Sequence, residues 1–341
     1  MQRVRAAVDV PLLVTNLVNV RYLTGFRSSN AAVLVEPERV RLFADFRYAE
    51  AGEQVEGVEF ELTKRALPSD LAQRLSGCIA FEAETLTHAH GQTLRAGGLE
   101  LVPTNGLVEG LRAVKDEDEI EAIRRATDVT NRAFERLAHE PVIGVTEREL
   151  AWRMDTFLHE GGADANAFPT IVAAGANGAS PHTSPGDRVI ERGQTVIVDA
   201  GAIVDGYCSD CTRTFAAGEL SGELADGYEL CLRAQLAGLE AVQPGVSGVD
   251  ADRAAREVVE AAGHGEHFGH GLGHGVGLDV HELPRLSTES TETVAECNVT
   301  SVEPGIYLPG LGGIRIEDLV VVRQDGPEVL TSFTKELVTL D

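Results

Sequence analysis

The stretch Thr195-Val196-Ile197-Val198-Asp199-Ala200-Gly201-Ala202-Ile203-Val204-Asp205-Gly206-Tyr207-Cys208-Ser209-Asp210-Cys211-Thr212-Arg213-Thr214-Phe215 decides how the chain folds. Residues 195–202 read as a strand with an acid inside it. Residues 207–215 read as a second strand-like run. Val204-Asp205-Gly206 between them is a hairpin signal, so pairing can bring Asp199 and Asp210 side by side. A carboxylate in an apolar strand is costly unless it is paired or bound to a metal.

Downstream, Phe268-Gly269-His270-Gly271-Leu272-Gly273-His274-Gly275-Val276-Gly277-Leu278-Asp279-Val280-His281-Glu282 alternates glycine and holds three histidines within twelve residues. Glycine lets backbone and ligand approach closely. Residues 300–307 and 313–320 place Glu303 and Glu317 in strand contexts. Period-2 alternation puts Arg315 on the Glu317 face. Each carboxylate alone reads as a structural ion pair. Four of them with an imidazole cannot share a pocket without cations, because like charges that close repel strongly. Two divalent ions resolve the repulsion. Oxygen-rich ligation with one imidazole suits Mn or Co, with Fe or Zn also compatible.

Composition narrows the classes. A chain of 341 residues, 43% hydrophobic, supports two folded domains. Its 29 basic and 54 acidic residues give a net charge of -25, which repels nucleic acid and anionic membrane surfaces. Aromatics at 5% provide no stacking platform. Only Lys64, Lys115 and Lys335 are lysines among the 29 basic residues. That bias fits GC-rich coding or, with the acid excess, a high-salt habitat; the charge also simply favours solubility. Five sparse cysteines make no disulfide framework. Cys208 and Cys211 have CxxC spacing but no second pair, and read as strand residues. No apolar run approaches the roughly 18 residues that span a bilayer, and the N-terminus has no signal-peptide core. A cytoplasmic protein is expected.

The chain divides near residue 112. Before it, apolar runs at 31–35, 40–44, 78–81 and 99–102 read as strands. Residues 48–55, 70–75 and 88–95 read as helices, giving an α/β layer domain. No nucleotide-binding glycine motif occurs there. After it, Asp116 and Glu119 form a capping box for a helix whose face is Ile120, Ile123, Thr127, Thr130, Phe134 and Leu137. Gly144-Val145-Thr146, with Glu149, opens a helix carrying Leu150, Met154, Phe157 and Leu158. Gly245-Val246-Ser247, with Asp250, opens another carrying Ala254, Val258 and Ala261. The match reads as a duplication or as two independently capped helices. Trp152 reads as packing, and His264 and His267 as loop residues.

The set Asp199, Asp210, His274, Glu303 and Glu317 resembles that of the pita-bread metallopeptidases of creatinase/prolidase type. That family includes Xaa-Pro dipeptidase (prolidase), Xaa-Pro aminopeptidase and methionine aminopeptidase. Asn19-Val20-Arg21-Tyr22-Leu23-Thr24-Gly25-Phe26 resembles the start of its N-terminal domain. Phe168-Pro169-Thr170-Ile171-Val172 with Pro181-His182 resembles the segment supplying a substrate-side histidine. The resemblance implies an α+β architecture: a creatinase-like α/β domain over 1–112, then a pseudo-symmetric pita-bread catalytic domain over 113–341. Short methionine aminopeptidases lack the first domain, and creatinase lacks the metal ligands.

The implied activity is cleavage before proline in Xaa-Pro dipeptides or short Xaa-Pro peptides. The alternatives are an Xaa-Pro aminopeptidase acting on longer peptides and a non-peptidase hydrolase or lyase on the same metal site. By resemblance Asp199 chelates one metal, Asp210 and Glu317 bridge both, and His274 and Glu303 complete the other. A metal-bridging hydroxide is the implied nucleophile and Glu303 its proton shuttle. His270 and His281 would contact the substrate and the oxyanion, and His182 the proline side. Arg315 would line the substrate site and steady Glu317, with Thr212 acting similarly. Arg285 either grips the dipeptide's terminal carboxylate, as a guanidinium can, or is one more surface arginine. A homodimer is implied.

Overall fold

The computed structural model describes Val4 and residues 10–181 and 183–341. The chain divides into two compact units, Met1–Arg112 and Ala113–Asp341.

The first unit is built on a mixed six-stranded sheet. Its strands are β1 (Leu12–Val14), β2 (Ala31–Val35), β3 (Val40–Asp45), β4 (Glu59–Thr63), β5 (Gly77–Glu82) and β6 (Leu99–Thr104), ordered β4-β3-β2-β1-β5-β6. Successive side chains point to opposite faces. Leu12, Val14, Val33 and Leu42 therefore pack in one core, and Leu13, Ala32, Leu34 and Phe43 in another. Burial on both faces is why these strands read as continuous apolar runs. The helices Leu67–Arg74 and His88–Ala96 cover the second face through Leu67, Leu71 and Leu94. The helix expected over 48–55 is present as Ala49–Glu53, led in by a 3-10 turn, Phe46–Tyr48.

The second unit carries two helix-covered sheets. The first has order β20-β12-β9-β8, and a small sheet β11-β10-β7 extends its hairpin. Here β7 is Ala165–Asn166, β8 Ile171–Ala174, β9 Gln194–Ala200, β10 Ala202–Val204, β11 Tyr207–Cys208, β12 Cys211–Ala217 and β20 Thr339–Leu340. The second has order β14-β13-β15-β18-β19, with a separate hairpin β16-β17. These are β13 (Gly273–Gly275), β14 (Glu282–Leu286), β15 (Val299–Val302), β16 (Gly305–Leu308), β17 (Gly312–Arg315), β18 (Asp318–Val321) and β19 (Glu328–Val329).

Each sheet has its own core and helix pair. Phe134, Leu150 and Met154, from the helices Glu117–Leu137 and Glu147–Glu160, pack with Val196, Val198 and Phe215. Leu224, Cys231 and Val259, from the helices Gly222–Ala241 and Gly248–Ala261, pack with Val302, Ile314 and Val320. The repeat holds in backbone detail. Gly144 donates to Ile190, Ile190 to Val145 and Glu147 to Arg188, as Gly245 donates to Val294, Val294 to Val246 and Gly248 to Glu292. Thr146 and Ser247 then cap their helices through Glu149 N and Asp250 N. Shared hydrogen bonding beyond the caps favours duplication over coincidence.

Two expectations are corrected. The buried stripe of Gly248–Ala261 is Ala251, Ala255 and Val259, not Ala254, Val258 and Ala261. Trp152 is 75% exposed and packs nothing into the core. Among the described residues, no helix is long and apolar enough to cross a membrane.

Arg213 on β12 is fully buried and ties the sheets to the final segment. Its guanidinium donates to Asp318 Oδ1 (2.9 Å), to the carbonyls of Phe333 (2.7 Å) and Thr334 (2.9 Å), and to the carbonyl of Glu317. Removing one partner of such a network strands buried polar groups. Arg213→Met is expected to destabilise the protein by about 3–5 kcal/mol in denaturant unfolding; a change near zero would contradict this role.

Candidate metal centre

The acids of the site sit at strand ends and breaks. Asp199 is near the end of β9, opposite Thr212 of β12. Asp205 (φ 49°) and Gly206 (φ 80°) make the tight turn between β10 and β11. Asp210 then falls in the break before β12, Glu303 in the break between β15 and β16, and Glu317 in the break before β18. Sequence alternation placed these three inside strands. A regular ladder sends neighbouring side chains to opposite faces; interrupting it lets carboxylates from two sheets turn into one space. Oxygens of Asp199, Asp210 and Glu317 lie within 4.8 Å of one another, and all three residues are buried. His274 Nε2 lies 3.2 Å from Glu303 Oε1 and 3.7 Å from Asp210 Oδ2.

The charges do not balance within the protein. Burial, then repulsion from Glu317 and Asp199, holds Asp210 well above the usual carboxylate range. Burial, then repulsion from Glu303 and Asp199, does the same to Glu317. Burial raises Asp199 as well, against the pull of Arg315. Glu303 differs: burial would raise it, but the His274 hydrogen bond and charge outweigh burial and bring it down to about 2. Arg315 thus compensates Asp199 and His274 compensates Glu303; among the described residues Asp210 is left with the more distant His274 alone, and Glu317 with no ion-pair partner. Among the described residues, the buried Asp199 Oδ1 and Glu317 Oε1 have no hydrogen-bond partner. Buried acceptors are rarely left unpaired. Orphaned oxygens in a four-carboxylate, one-imidazole donor set fit divalent cations.

Local structure aims the ligands. The Gly273-His274-Gly275 strand lies between neighbours that leave no room for side chains. A Cβ at Gly273 would lie 2.1 Å from Ser301 O, and one at Gly275 2.1 Å from Leu283 O. His274 Nδ1–H donates to the Gly275 carbonyl (3.1 Å), which turns Nε2 toward the acids. Ser301 Oγ donates to Glu303 Oε1 (3.0 Å) and accepts from His274 N (3.1 Å). Residues 268–272 are fixed from the helix Gly248–Ala261: Arg256 pairs with buried Asp252 and donates to the carbonyls of Phe268 and His270.

Arg315 departs from its expected place. It is buried, and its Nη2 pairs with Asp199 Oδ2 at 2.5 Å rather than with Glu317. Its Nε donates to Thr212 Oγ1 (3.1 Å) and its Nη1 to Tyr307 Oη (3.1 Å), so each of its three nitrogens is anchored within the protein. Thr212 Oγ1 in turn donates to Glu317 Oε2 (2.8 Å). Tyr307, which sequence reading passed over, also hydrogen-bonds His270 Nε2 (2.8 Å), while the His270 Nδ1–H donates to Gly271 O (2.8 Å). Its only sequence signal is its place in β16, just after Glu303.

His281 is exposed, with its ring 4.4 Å from that of His274. Arg285 is exposed and sits opposite His274 in the β13–β14 register, so both side chains share one face. His182 lies outside the described residues. Cys208 and Cys211 are buried, and the cysteines form no disulfide among the described residues. His264 precedes and His267 ends a 3-10 turn, Gly265–His267, with their Nδ1 atoms 3.0 Å apart.

Residues 121–324 match the family described as Metallopeptidase family M24, and residues 5–114 match the Creatinase/Prolidase N-terminal domain. The structure is similar to the Xaa-Pro dipeptidase from Bacillus anthracis, with a TM-score of 0.95, 37% identity, and 99% and 98% of the two chains covered. It is also similar to the X-Pro aminopeptidase from Thermotoga maritima, with a TM-score of 0.89, 33% identity, and 99% and 100% covered. In sequence, the Xaa-Pro dipeptidase of Pyrococcus horikoshii is 32% identical over 336 residues, 97% of this chain and 95% of the relative. The chain therefore belongs to metallopeptidase family M24, as an enzyme of the prolidase type carrying a creatinase/prolidase N-terminal domain.

Proposed function

We propose that the protein hydrolyses the peptide bond before proline in Xaa-Pro dipeptides or short Xaa-Pro peptides, using two divalent ions, Mn or Co. The observation that carries this reading is the convergence of Asp199, Asp210 and Glu317, with orphaned oxygens, beside the His274–Glu303 pair. Asp199, Asp210, His274, Glu303 and Glu317 would hold the ions. Bound there, the ions would supply an acidified water as nucleophile and polarise the scissile carbonyl.

The protein's own groups do the rest. Glu303 Oε1, placed by Ser301 and His274, takes up a proton and returns it to the leaving proline nitrogen. His270, held by Gly271 and Tyr307, lines the substrate site, and exposed His281 donates to the substrate and to the developing oxyanion. His182 shapes the proline side. Arg315 acts indirectly: it holds Asp199 by pairing with it and Glu317 through Thr212. Arg285 receives the terminal carboxylate of a dipeptide. Its place on the His274 face supports this, and among the described residues no carboxylate pairs with it.

The similarity to an enzyme titled X-Pro aminopeptidase keeps longer peptides as the second reading. Arg285 separates the two. Arg285→Ala is expected to raise KM for Xaa-Pro dipeptides by about tenfold or more, the scale of a lost charge-assisted bidentate contact, and to change KM for Xaa-Pro tripeptides little. Equal effects on both substrates would remove the carboxylate role. Asp210→Asn is expected to abolish Mn-dependent cleavage and to lower bound manganese in equilibrium dialysis. Unchanged metal content and turnover would show that the site lies elsewhere.

A further inference from the structure

Of the three lysines in an arginine-rich chain, Lys64 is exposed, and the other two pair with acids next to proposed site residues. Lys335 Nζ meets Asp318, which follows Glu317, at 2.5 Å. Lys115 Nζ meets Glu282, which follows His281, at 3.1 Å. The second pair is the more deeply sealed, with side-chain exposures of 1% for Lys115 and 4% for Glu282.

Both ends of this pair are anchored. The Lys115 backbone donates to Cys297 O (3.0 Å), Val114 bridges to Asn298, and Asn298 Nδ2 donates to Ala113 O (2.8 Å). Lys115 thus starts from the base of β15, the strand that leads to Glu303. At the other end, Glu282 Oε1 accepts from Asp279 N (3.0 Å), bracketing the turn that presents His281. A Cβ at Gly277 would lie 2.6 Å from the same carboxylate, so the turn closes directly on it. Cys208 N donates to Gly277 O (2.7 Å) and ties the turn to β11, two residues before Asp210.

We propose that the Lys115–Glu282 ion pair is a positioning device that sets His281 over the centre. A buried ion pair is weak as a source of stability, since apolar or neutral replacements of both partners are often tolerated. Its effect here is geometric: it locks the turn of residues 277–282 to the strand base that also sets Glu303. Lys115 acts through His281, the residue beside its partner Glu282. The inference rests on the substrate-facing role given to His281 above.

The test uses the full-length, manganese-loaded enzyme. The double variant Lys115→Met/Glu282→Gln removes both charges of the pair together. It is expected to keep its bound manganese and to lose about tenfold or more in kcat/KM on an Xaa-Pro dipeptide, mostly in kcat, as misplacement of a contacting group does. In a His281→Ala background the same pair of substitutions is expected to change kcat/KM by less than about twofold, because coupled sites are not additive. A double variant with wild-type kcat/KM overturns the proposal, as does a loss that adds in full to that of His281→Ala. Assays run below the unfolding midpoint of each variant separate these outcomes from reduced stability. A His281→Ala enzyme with unchanged kcat/KM would instead defeat the role of His281, and this inference with it.

Discussion

Like charges in a low-dielectric space govern this structure. Four carboxylates close to one another and out of water are tolerated only when cations lie among them. The described residues supply two, Arg315 to Asp199 and His274 to Glu303, and leave Asp210 and Glu317 only weakly compensated. Most of the second unit reads as scaffolding for that imbalance. Two sheets, each with its own helix pair and core, bring their strand ends to one place. Arg213 grips the backbone of Glu317 and the side chain of Asp318, and the Gly273–Gly275 strand fits between its neighbours without side chains to spread it.

The cluster also organises its surroundings by hydrogen bonding. Arg315 reaches Asp199, Thr212 and Tyr307 with three different nitrogens, and Thr212 passes support to Glu317 while Tyr307 passes it to His270. A displacement of this guanidinium would be felt at two acids and one histidine. Such linked polar groups hold geometry better than isolated pairs, because each member fixes its neighbour's orientation.

Much of this was legible in the sequence, for definite reasons. The capping box at Asp116 and Glu119 and the buried face from Ile120 to Leu137 follow from local periodicity, and both are present. Acids inside apolar runs at Asp199 and Asp210 signalled the centre because burial of charge needs a cause. What was not legible depends on partners distant in sequence. Whether Arg315 serves Glu317 or Asp199 is settled by how β17 lies against β9. Alternation could not show the breaks at Asp210, Glu303 and Glu317, because it assumes an unbroken ladder. The first unit's β1 and β4 were missed because one is three residues long and the other, Glu59–Thr63, lies half-exposed at the sheet edge. Trp152 carries helical spacing, but its neighbours Ala151 and Met154 hold the buried side of that helix.

The proposed ligand set is tested most directly by anomalous diffraction at the manganese edge from a crystal of the manganese-loaded protein. Two peaks are expected, both within bonding distance of oxygens of Asp210 and Glu317, with Asp199 on one side and His274 and Glu303 on the other. A single peak, or peaks remote from Asp210 and Glu317, would contradict the assignment.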